Sequence, residues 1–299
     1  MGASTKTVKR RIKSIANTMK ITKAMELVAA SKMRRATQAV VGTRPFSQLS
    51  WNTINAIGNA SDNTSHPLLE ENTDADKTLF VLFTADRGLA GGFNSNMIKE
   101  ALAEIKKIDD NTTVEAIAIG RRGGDALSRN NIDVIARFEE LSNKATFADI
   151  LPIGNMIVEA YYAKKYKRVL VGYTDFISSL TQKPRIFELL PLGKPDAELG
   201  DVGKQEAESD ISQANEYIFE PNPQKVLDRM LPRLIETMLY QALLESSASE
   251  HSARMLAMRN ATDSAQEMLK ELKFTYNRIR QASITQEIAE ISSGKAAIE

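Results

Sequence analysis

Two glycine-rich segments are the best candidates for chemistry in this sequence. Residues 86–94 and 120–124 each follow a short apolar run, and a glycine-rich turn between a strand and a helix can present backbone N–H groups to a phosphate. Neither segment has the spacing G-x-G-x-x-G, and the pattern G-x-x-x-x-G-K-[ST] is absent from the chain. We therefore interpret these glycines as tight-turn residues rather than as a nucleotide site.

Other arrangements of catalytic residues are also missing. The chain has no cysteine, which excludes disulfide scaffolds, cysteine nucleophiles, iron–sulfur clusters and Cys-ligated zinc. Its two histidines, His66 and His251, lie far apart, so no multi-histidine metal motif can be written. His251 is predicted to be a surface residue of a helix, and no acidic pair suits acid–base catalysis. We expect no catalytic residue, no cofactor and no metal.

The charge is unevenly distributed, although 39 basic and 38 acidic residues nearly balance. Between residues 6 and 35 the only acid is Glu26, and the basic residues are Lys6, Lys9, Arg10, Arg11, Lys13, Lys20, Lys23, Lys32, Arg34 and Arg35. This asymmetry indicates an acidic partner, a nucleic acid or a targeting role. No aromatic platform accompanies the charge, and no processing site interrupts it, so we favour docking against acidic protein surfaces. No apolar stretch has the length of a membrane span.

The elements that carry this charge are predicted to be long helices at the two ends of the chain. Residues 3–41 contain no Gly or Pro, and their apolar or small side chains recur every three or four residues. Gly42 and Pro45 are the first possible interruption, although the apolar stretch 46–57 can continue the helix. Near the other end, residues 255–279 form a heptad seam, which predicts a left-handed coiled coil. Its members are Met255, Met258, Thr262, Ala265, Leu269, Leu272, Tyr276 and Ile279.

The C-terminal helix is too long for a compact domain of this size. Residues 233–293 contain no Gly or Pro, and about 60 helical residues span roughly 90 Å. Pro232 predicts a kink or a helix start, because proline disfavours a helix interior. The simplest arrangement is an antiparallel coiled coil of the two chain ends with a domain inserted between them. An ordinary helical bundle is the alternative.

The middle of the chain is predicted to be a Rossmann-like α/β domain. Strands are expected at 78–84, 114–119 and 168–174, with a further one at 186–190, and helices at 97–107, after the glycines at 120–124, and at 147–165. This alternation indicates a mostly parallel sheet covered by helices. The predicted division is a coiled-coil helix at 1–58, the α/β domain at 76–192, an acidic linker at 193–223 and a coiled-coil helix at 224–299.

Three motifs together resemble one protein family. Residues 20–34 (KITKAMELVAASKMR) and 282–288 (ASITQEI) are similar to the N- and C-terminal signatures of the γ subunit of F-type ATP synthases. Residues 84–94 (TADRGLAGGFN) resemble its central motif, in which many members carry Cys at the position of Ala90. The regulatory Cys-bearing insertion of chloroplast members is absent and no transit peptide is visible, so a bacterial type is expected.

The resemblance implies a non-catalytic rotor. The coiled coil would be the shaft inside an α3β3 hexamer, and rotation would couple ion flow through the membrane c-ring to ATP synthesis on the β subunits. The α/β domain would lie near the ε subunit and the c-ring. The protein would be peripheral to the cell membrane, on its cytoplasmic side. A stand-alone coiled-coil scaffold, a nucleic-acid-binding protein and an enzyme with its site in the glycine-rich loop are the alternatives.

The resemblance also implies which residues contact other subunits. The residues expected to meet the β subunits are Lys20, Lys23, Met25, Arg34, Arg35, Arg254, Gln281, Thr285 and Glu287. The apolar tip expected to turn in a sleeve of the hexamer consists of Ile284, Ile288, Ile291 and Ile298. The alternative for each is an ordinary exposed helical residue.

Overall fold

A computed structural model describes residues 5–60, 66–108, 112–143, 145–192 and 222–296. The chain divides into two compact units, one of residues 1–28 with 255–299 and one of residues 29–254. The helices are α1 (Thr5–Ala60), α2 (Phe93–Ile105), α3 (Arg121–Arg129), α4 (Phe147–Tyr162) and α5 (Pro223–Ala296). The predicted linker at 193–223 lies, apart from its last two residues, outside the described part.

Both long helices continue through their prolines. Pro45 lies inside α1 and Pro232 inside α5. Of the two alternatives expected at Pro232, a kink or a helix start, the helix start is therefore not observed. The helix begins instead at Pro223, where proline is favoured because its missing N–H is not needed in the first turn. The Asn222 side chain accepts the Lys225 N–H at 2.9 Å and caps this start.

In the unit of residues 1–28 and 255–299, the two helix segments pack along the predicted seam. Val8 on α1 and Met258, Ala265 and Leu269 on α5 are buried. The Thr22 and Thr262 hydroxyls lie 2.8 Å apart across the seam. The heptad prediction is therefore confirmed here, with one polar contact among the small and apolar ones.

In the unit of residues 29–254, α1 and α5 pack in the same antiparallel sense. Val40 contacts Leu244 and Ala248, and the Thr43 hydroxyl is hydrogen-bonded to Gln241. The predicted pairing of the chain's two ends is confirmed, and the α/β domain is inserted between them.

The inserted domain is built on a five-stranded sheet in the order β3-β2-β1-β4-β5. Its strands are β1 (Lys77–Phe83), β2 (Thr113–Ile119), β3 (Asp133–Phe138), β4 (Arg168–Phe176) and β5 (Gln182–Leu190). The first four are parallel and β5 is antiparallel to β4. This confirms the predicted mostly parallel, Rossmann-like sheet and adds β3 to it. At that edge strand, a shift in the β2 pairing leaves Ile135 unpaired, and its side chain is 39% exposed.

Apolar layers cover both faces of the sheet. On one face, Phe80 and Leu82 of β1 pack with Met97 of α2 and Leu127 of α3. On the other face, α4 and the first turns of α5 bury a larger cluster that includes Leu231, Leu234 and Ile235. This packing on both sides of Pro232 explains why the proline is held within a helix.

The sequence predicted that all the glycines at 120–124 precede the helix, and this prediction is wrong. Gly123 and Gly124 lie inside α3. A Cβ on Gly123 would lie 2.7 Å from the Thr84 hydroxyl, whose oxygen accepts the Gly123 N–H at 2.8 Å. Glycine is therefore required because α3 starts in direct contact with the end of β1.

Candidate functional site: the helical shaft and its joint with the sheet

The first group of predicted contact residues lies on α1 in the unit of residues 1–28 and 255–299. Lys20 and Lys23 are exposed, and Met25 is half-buried. Lys23 forms an ion pair with Glu26 at 3.0 Å, so part of its charge is balanced within its own helix. Lys20 therefore presents the less compensated positive charge of the two.

Exposed apolar side chains lie close to these lysines on α1, and the sequence analysis did not predict them as contact residues. Ile21, Leu27 and Val28 are 57–61% exposed, although they follow a buried seam. Their signal was available, because they fall outside the three-and-four spacing that defines the buried stripe. An exposed apolar group beside basic residues is typical of a protein–protein contact surface.

The C-terminal group of predicted residues has no neighbouring helix in the described part of the chain. Every residue from 280 to 294 is exposed, including Gln281, Thr285 and Glu287. The Thr285 hydroxyl donates to the Gln281 carbonyl at 2.9 Å, so these two residues share one helix face. They lie roughly 30 Å along α5 from Thr262, at about 1.5 Å per residue, and do not form a cluster with Lys20 and Lys23.

The predicted apolar tip is exposed as far as the structure describes it. Ile284, Ile288 and Ile291 are 49%, 60% and 73% exposed, whereas Ile298 lies outside the described residues. Such apolar exposure on one helix indicates a surface that another protein covers.

The remaining predicted residues belong to the unit of residues 29–254 and differ in exposure. Arg34 and Arg35 are exposed on α1. Arg254 on α5 has a side chain only 13% exposed, and it forms an ion pair with Glu250 at 2.6 Å. Arg254 therefore has close partners within its own chain, and the contact roles of all three residues remain predictions.

The glycine-rich loop of residues 86–94 is fixed by internal contacts. The Asp86 carboxylate accepts the backbone N–H of Arg121 at 3.0 Å and that of Glu140 at 2.8 Å. The Asn94 side chain accepts the Ala85 N–H at 2.9 Å. These bonds satisfy the start of α3 and both ends of the loop, so the loop has a structural role.

The carboxyl ends of β1 and β2, where Rossmann-like sheets bind their ligands, are covered by α5. Residues 241–252 of α5 are all buried, and Leu243, Ser246 and Glu250 line the space beside the strand ends. The cavity that remains has a volume of about 10 Å³, which is room for about one water molecule at most. A helix of the chain itself therefore fills the place of a nucleotide.

His251 lies in this buried part of α5, so the predicted surface position is wrong. The side chain is 3% exposed. Burial, followed by the nearby charges of Arg254 and Lys32, lowers the pKa of His251 to about 4. The imidazole is neutral at pH 7 and acts as a packed structural residue.

A buried charge, that of Glu115, lies at the opposite edge of the sheet, near the amino ends of the strands. Glu115 on β2 accepts hydrogen bonds from Lys77 and Lys165, both at 2.7 Å, and from the Tyr166 hydroxyl at 2.6 Å. Although burial opposes ionisation, these three donors lower the pKa of Glu115 to about 2. The carboxylate joins the starts of β1, β2 and β4.

The described residues offer neither a metal site nor a membrane span. They contain no group of three or more His, Cys, Asp or Glu side chains arranged to hold a metal. Nor does any helix among them combine the length and apolar character that a membrane span requires.

Comparison with known proteins gives full-length matches. A family model described as ATP synthase matches residues 4–298. The ATP synthase gamma chain of Symbiobacterium thermophilum is 42% identical over 301 aligned residues, and that of Alkaliphilus metalliredigens is 40% identical over 299, each alignment covering 100% of both chains.

Solved structures agree with these sequence matches. A chain of the Euglena gracilis mitochondrial ATP synthase, in a structure of OSCP, F1 and c-ring, has a TM-score of 0.67 and 20% identity, covering 98% of this chain and 94% of that one. A chain of the Tetrahymena thermophila mitochondrial ATP synthase central stalk and c-ring has a TM-score of 0.58 and 25% identity, covering 81% of this chain and 99% of that one. The chain therefore belongs to the ATP synthase gamma chain family.

Proposed function

We propose that this chain is the rotating central shaft of an F-type ATP synthase. The coiled coil of α1 and α5 turns inside an α3β3 hexamer and couples ion flow through a membrane c-ring to ATP synthesis on the β subunits. The full-length identity of 42% to an ATP synthase gamma chain carries this proposal. As a member of that family the chain is a non-catalytic subunit.

The mechanism follows from the asymmetry of the shaft. A pair of helices has no threefold symmetry, so it presents a different surface to each of three equivalent β subunits. A surface that contacts one conformation better than another shifts the equilibrium toward that conformation. Rotation then takes each catalytic site through its states in turn.

The contact surface begins with the exposed basic and apolar residues of α1. Lys20, Lys23, Arg34 and Arg35 meet acidic loops of the β subunits, and Met25 adds apolar contact. The exposure of the four basic side chains supports this role. Each exposed ion pair contributes only about 0–1 kcal/mol, so these pairs bias the β conformations and do not hold the complex together.

The C-terminal part of α5 makes the second contact. Gln281, Thr285 and Glu287 are assigned to β-subunit contact, and Glu287 lies about 120° around the helix from Gln281 at 3.6 residues per turn. Arg254, which lies nearer the start of α5, is assigned to the same contact. Beyond them, the apolar tip of Ile284, Ile288, Ile291 and Ile298 turns in an apolar sleeve. The exposure of residues 280–294 supports a role that requires a surrounding partner.

The inserted α/β domain connects the shaft to the membrane sector. It lies near the ε subunit and the c-ring, and the protein is peripheral to the cell membrane on its cytoplasmic side. The likeness to a chain of a central stalk and c-ring assembly supports this placement.

Purification with candidate partners tests the proposed function. We expect the tagged full chain to assemble with α and β subunits of the same bacterial type into a complex that hydrolyses ATP, and the free chain to have no turnover. With the hexamer immobilised and a probe attached to the α/β domain, ATP should drive rotation with three pauses per turn. Recovery of nucleic acid alone, or turnover by the free chain, would contradict the proposal.

A further inference from the structure

Two consecutive residues of α5 hold the glycine-rich loop. Ala253 packs against the apolar cluster of Ala85, Ala90 and Phe93. Arg254 donates from Nη2 to the carbonyl of Gly88 at 3.4 Å. One side of the loop is therefore fixed by apolar contact and the other by a charge-assisted hydrogen bond.

The Arg254 guanidinium is itself held in place. Its Nη1 donates to Glu250 Oε1 at 2.6 Å, and the two side chains are 13% and 6% exposed. The Nδ1 atom of His251 lies 3.5 Å from the same nitrogen. A planar guanidinium can satisfy Glu250 and Gly88 simultaneously, whereas an ammonium group on a flexible stem is a poor substitute.

The held loop is connected in turn to the sheet. Asp86 joins it to the start of α3 and to the segment after β3. Leu89, next to Gly88, has a φ of 63°, a left-handed conformation that costs a non-glycine residue about 1 kcal/mol or more. Such a conformation persists only when surrounding contacts enforce it, and the Arg254 bond lies on the adjacent residue.

The contact between Arg254 and the glycine-rich loop lies where α5 leaves the unit of residues 29–254. Arg254 is the last α5 residue of the unit formed by residues 29–254, and α5 then continues into the other unit. We infer that Arg254 is a positioning residue that, together with Glu250, fastens the glycine-rich loop to α5. The contact adds to the apolar packing of α5 residues 227–243 against the domain, so that the loop and the sheet behind it follow the helix when it turns. This inference rests on the proposed rotor function. It gives Arg254 a role within the chain in addition to the proposed contact with β.

The test compares Arg254→Lys, Glu250→Gln and the double variant in the assembled complex. Arg259→Lys is the matched control, because Arg259 is an exposed arginine on the same helix. Two quantities are measured: the hydrogen-exchange rate of amides in residues 86–92, and the ratio of ATP-driven ion transport to ATP hydrolysis. The exchange measurement is repeated on the free full chain.

We expect both single variants to speed loop exchange about tenfold and to lower the transport-to-hydrolysis ratio at least twofold. The double variant should be no worse than either single one, because both changes open the same contact, and the control should match wild type. Glu250 is nearly buried, so a purely surface role of Arg254 would leave the Glu250→Gln variant with a wild-type ratio and slow exchange. That result, or additive losses in the double variant, would overturn the inference.

Failure of the proposed function would give a different result. A chain that does not assemble with α and β subunits would contradict the rotor function. In that case, loop exchange in the free chain would still report whether Arg254 and Glu250 fasten the loop.

Discussion

Replacing Glu115 with glutamine should destabilise the α/β domain in a pH-dependent way. The pKa of this carboxyl is held at about 2 instead of its ordinary 4.5, and each pKa unit corresponds to about 1.4 kcal/mol. The ionised group therefore stabilises the fold by up to about 3.5 kcal/mol. Lys77 and Lys165 are 37% and 44% exposed, so solvent screening makes this an upper value.

The direction of the pH effect follows from linkage. Because the pKa is lowered on folding, the stabilisation is complete above about pH 5 and is lost as the pH falls toward about 2. At pH 7 we expect Glu115→Gln to lower the free energy of unfolding by about 2–3 kcal/mol. At pH 3 most of the difference from wild type should be gone, because the wild-type carboxyl has lost most of its advantage.

Urea unfolding of the full chain measures this difference. Near-UV circular dichroism of tyrosine is the signal, because Tyr161, Tyr166 and Tyr173 are buried in the domain. Glu71→Gln is the control, since Glu71 is 52% exposed and forms an ion pair with Lys167 at 3.4 Å, and it should cost under about 1 kcal/mol. A Glu115→Gln deficit that is absent at pH 7, or as large at pH 3 as at pH 7, would refute the reasoning.

Three further variants test other parts of the chain. Replacing both Lys20 and Lys23 with glutamate should lower the transport-to-hydrolysis ratio and leave assembly of the complex intact. The prediction would be contradicted if few complexes assembled and those that did retained the wild-type ratio. Gln281→Ala with Thr285→Val should slow multisite ATP hydrolysis several-fold, since each hydrogen bond is worth about 0.5–1.5 kcal/mol, with single-site nucleotide affinity unchanged; a wild-type multisite rate would end the hypothesis. Gly120→Ala should prevent folding of the α/β domain, because Gly120 has a φ of 94° and a Cβ there would lie 2.0 Å from a carbonyl oxygen; soluble expression with a wild-type urea midpoint would disprove it.

The long helices and the central strands could be predicted because their signals are periodic and local. The heptad spacing around Thr262 identified the seam, and the apolar run at 78–84 identified β1. Strand β3 was missed because it is a short edge strand whose apolar run covers only Val134 to Ala136, and the unpaired Ile135 breaks the alternation. The start of α5 was predicted within one residue, at 224. The alternative of a helix start at Pro232 arose because the proline penalty was weighed without the packing that offsets it.

The candidate site was predictable only in part, because exposure depends on the tertiary structure. The periodicity of α5 does not reveal that residues 241–252 are buried on every side, so His251 was placed at the surface. Arg254 was predicted as a contact residue from the family resemblance, which does not show that its side chain is largely buried. Its partner Gly88 lies 166 positions away in the chain, a distance over which no sequence pattern operates.

Because α5 fills the space at the carboxyl ends of β1 and β2, the stability of this protein does not depend on a ligand bound there. A protein that binds a small molecule in its native state gains stability in proportion to the logarithm of the ligand concentration. Here the occupant is covalently attached, so its effective concentration is constant. The stability of the α/β domain then does not depend on the concentration of a ligand at this place. A shaft that must work equally at low and high energy charge benefits from this independence.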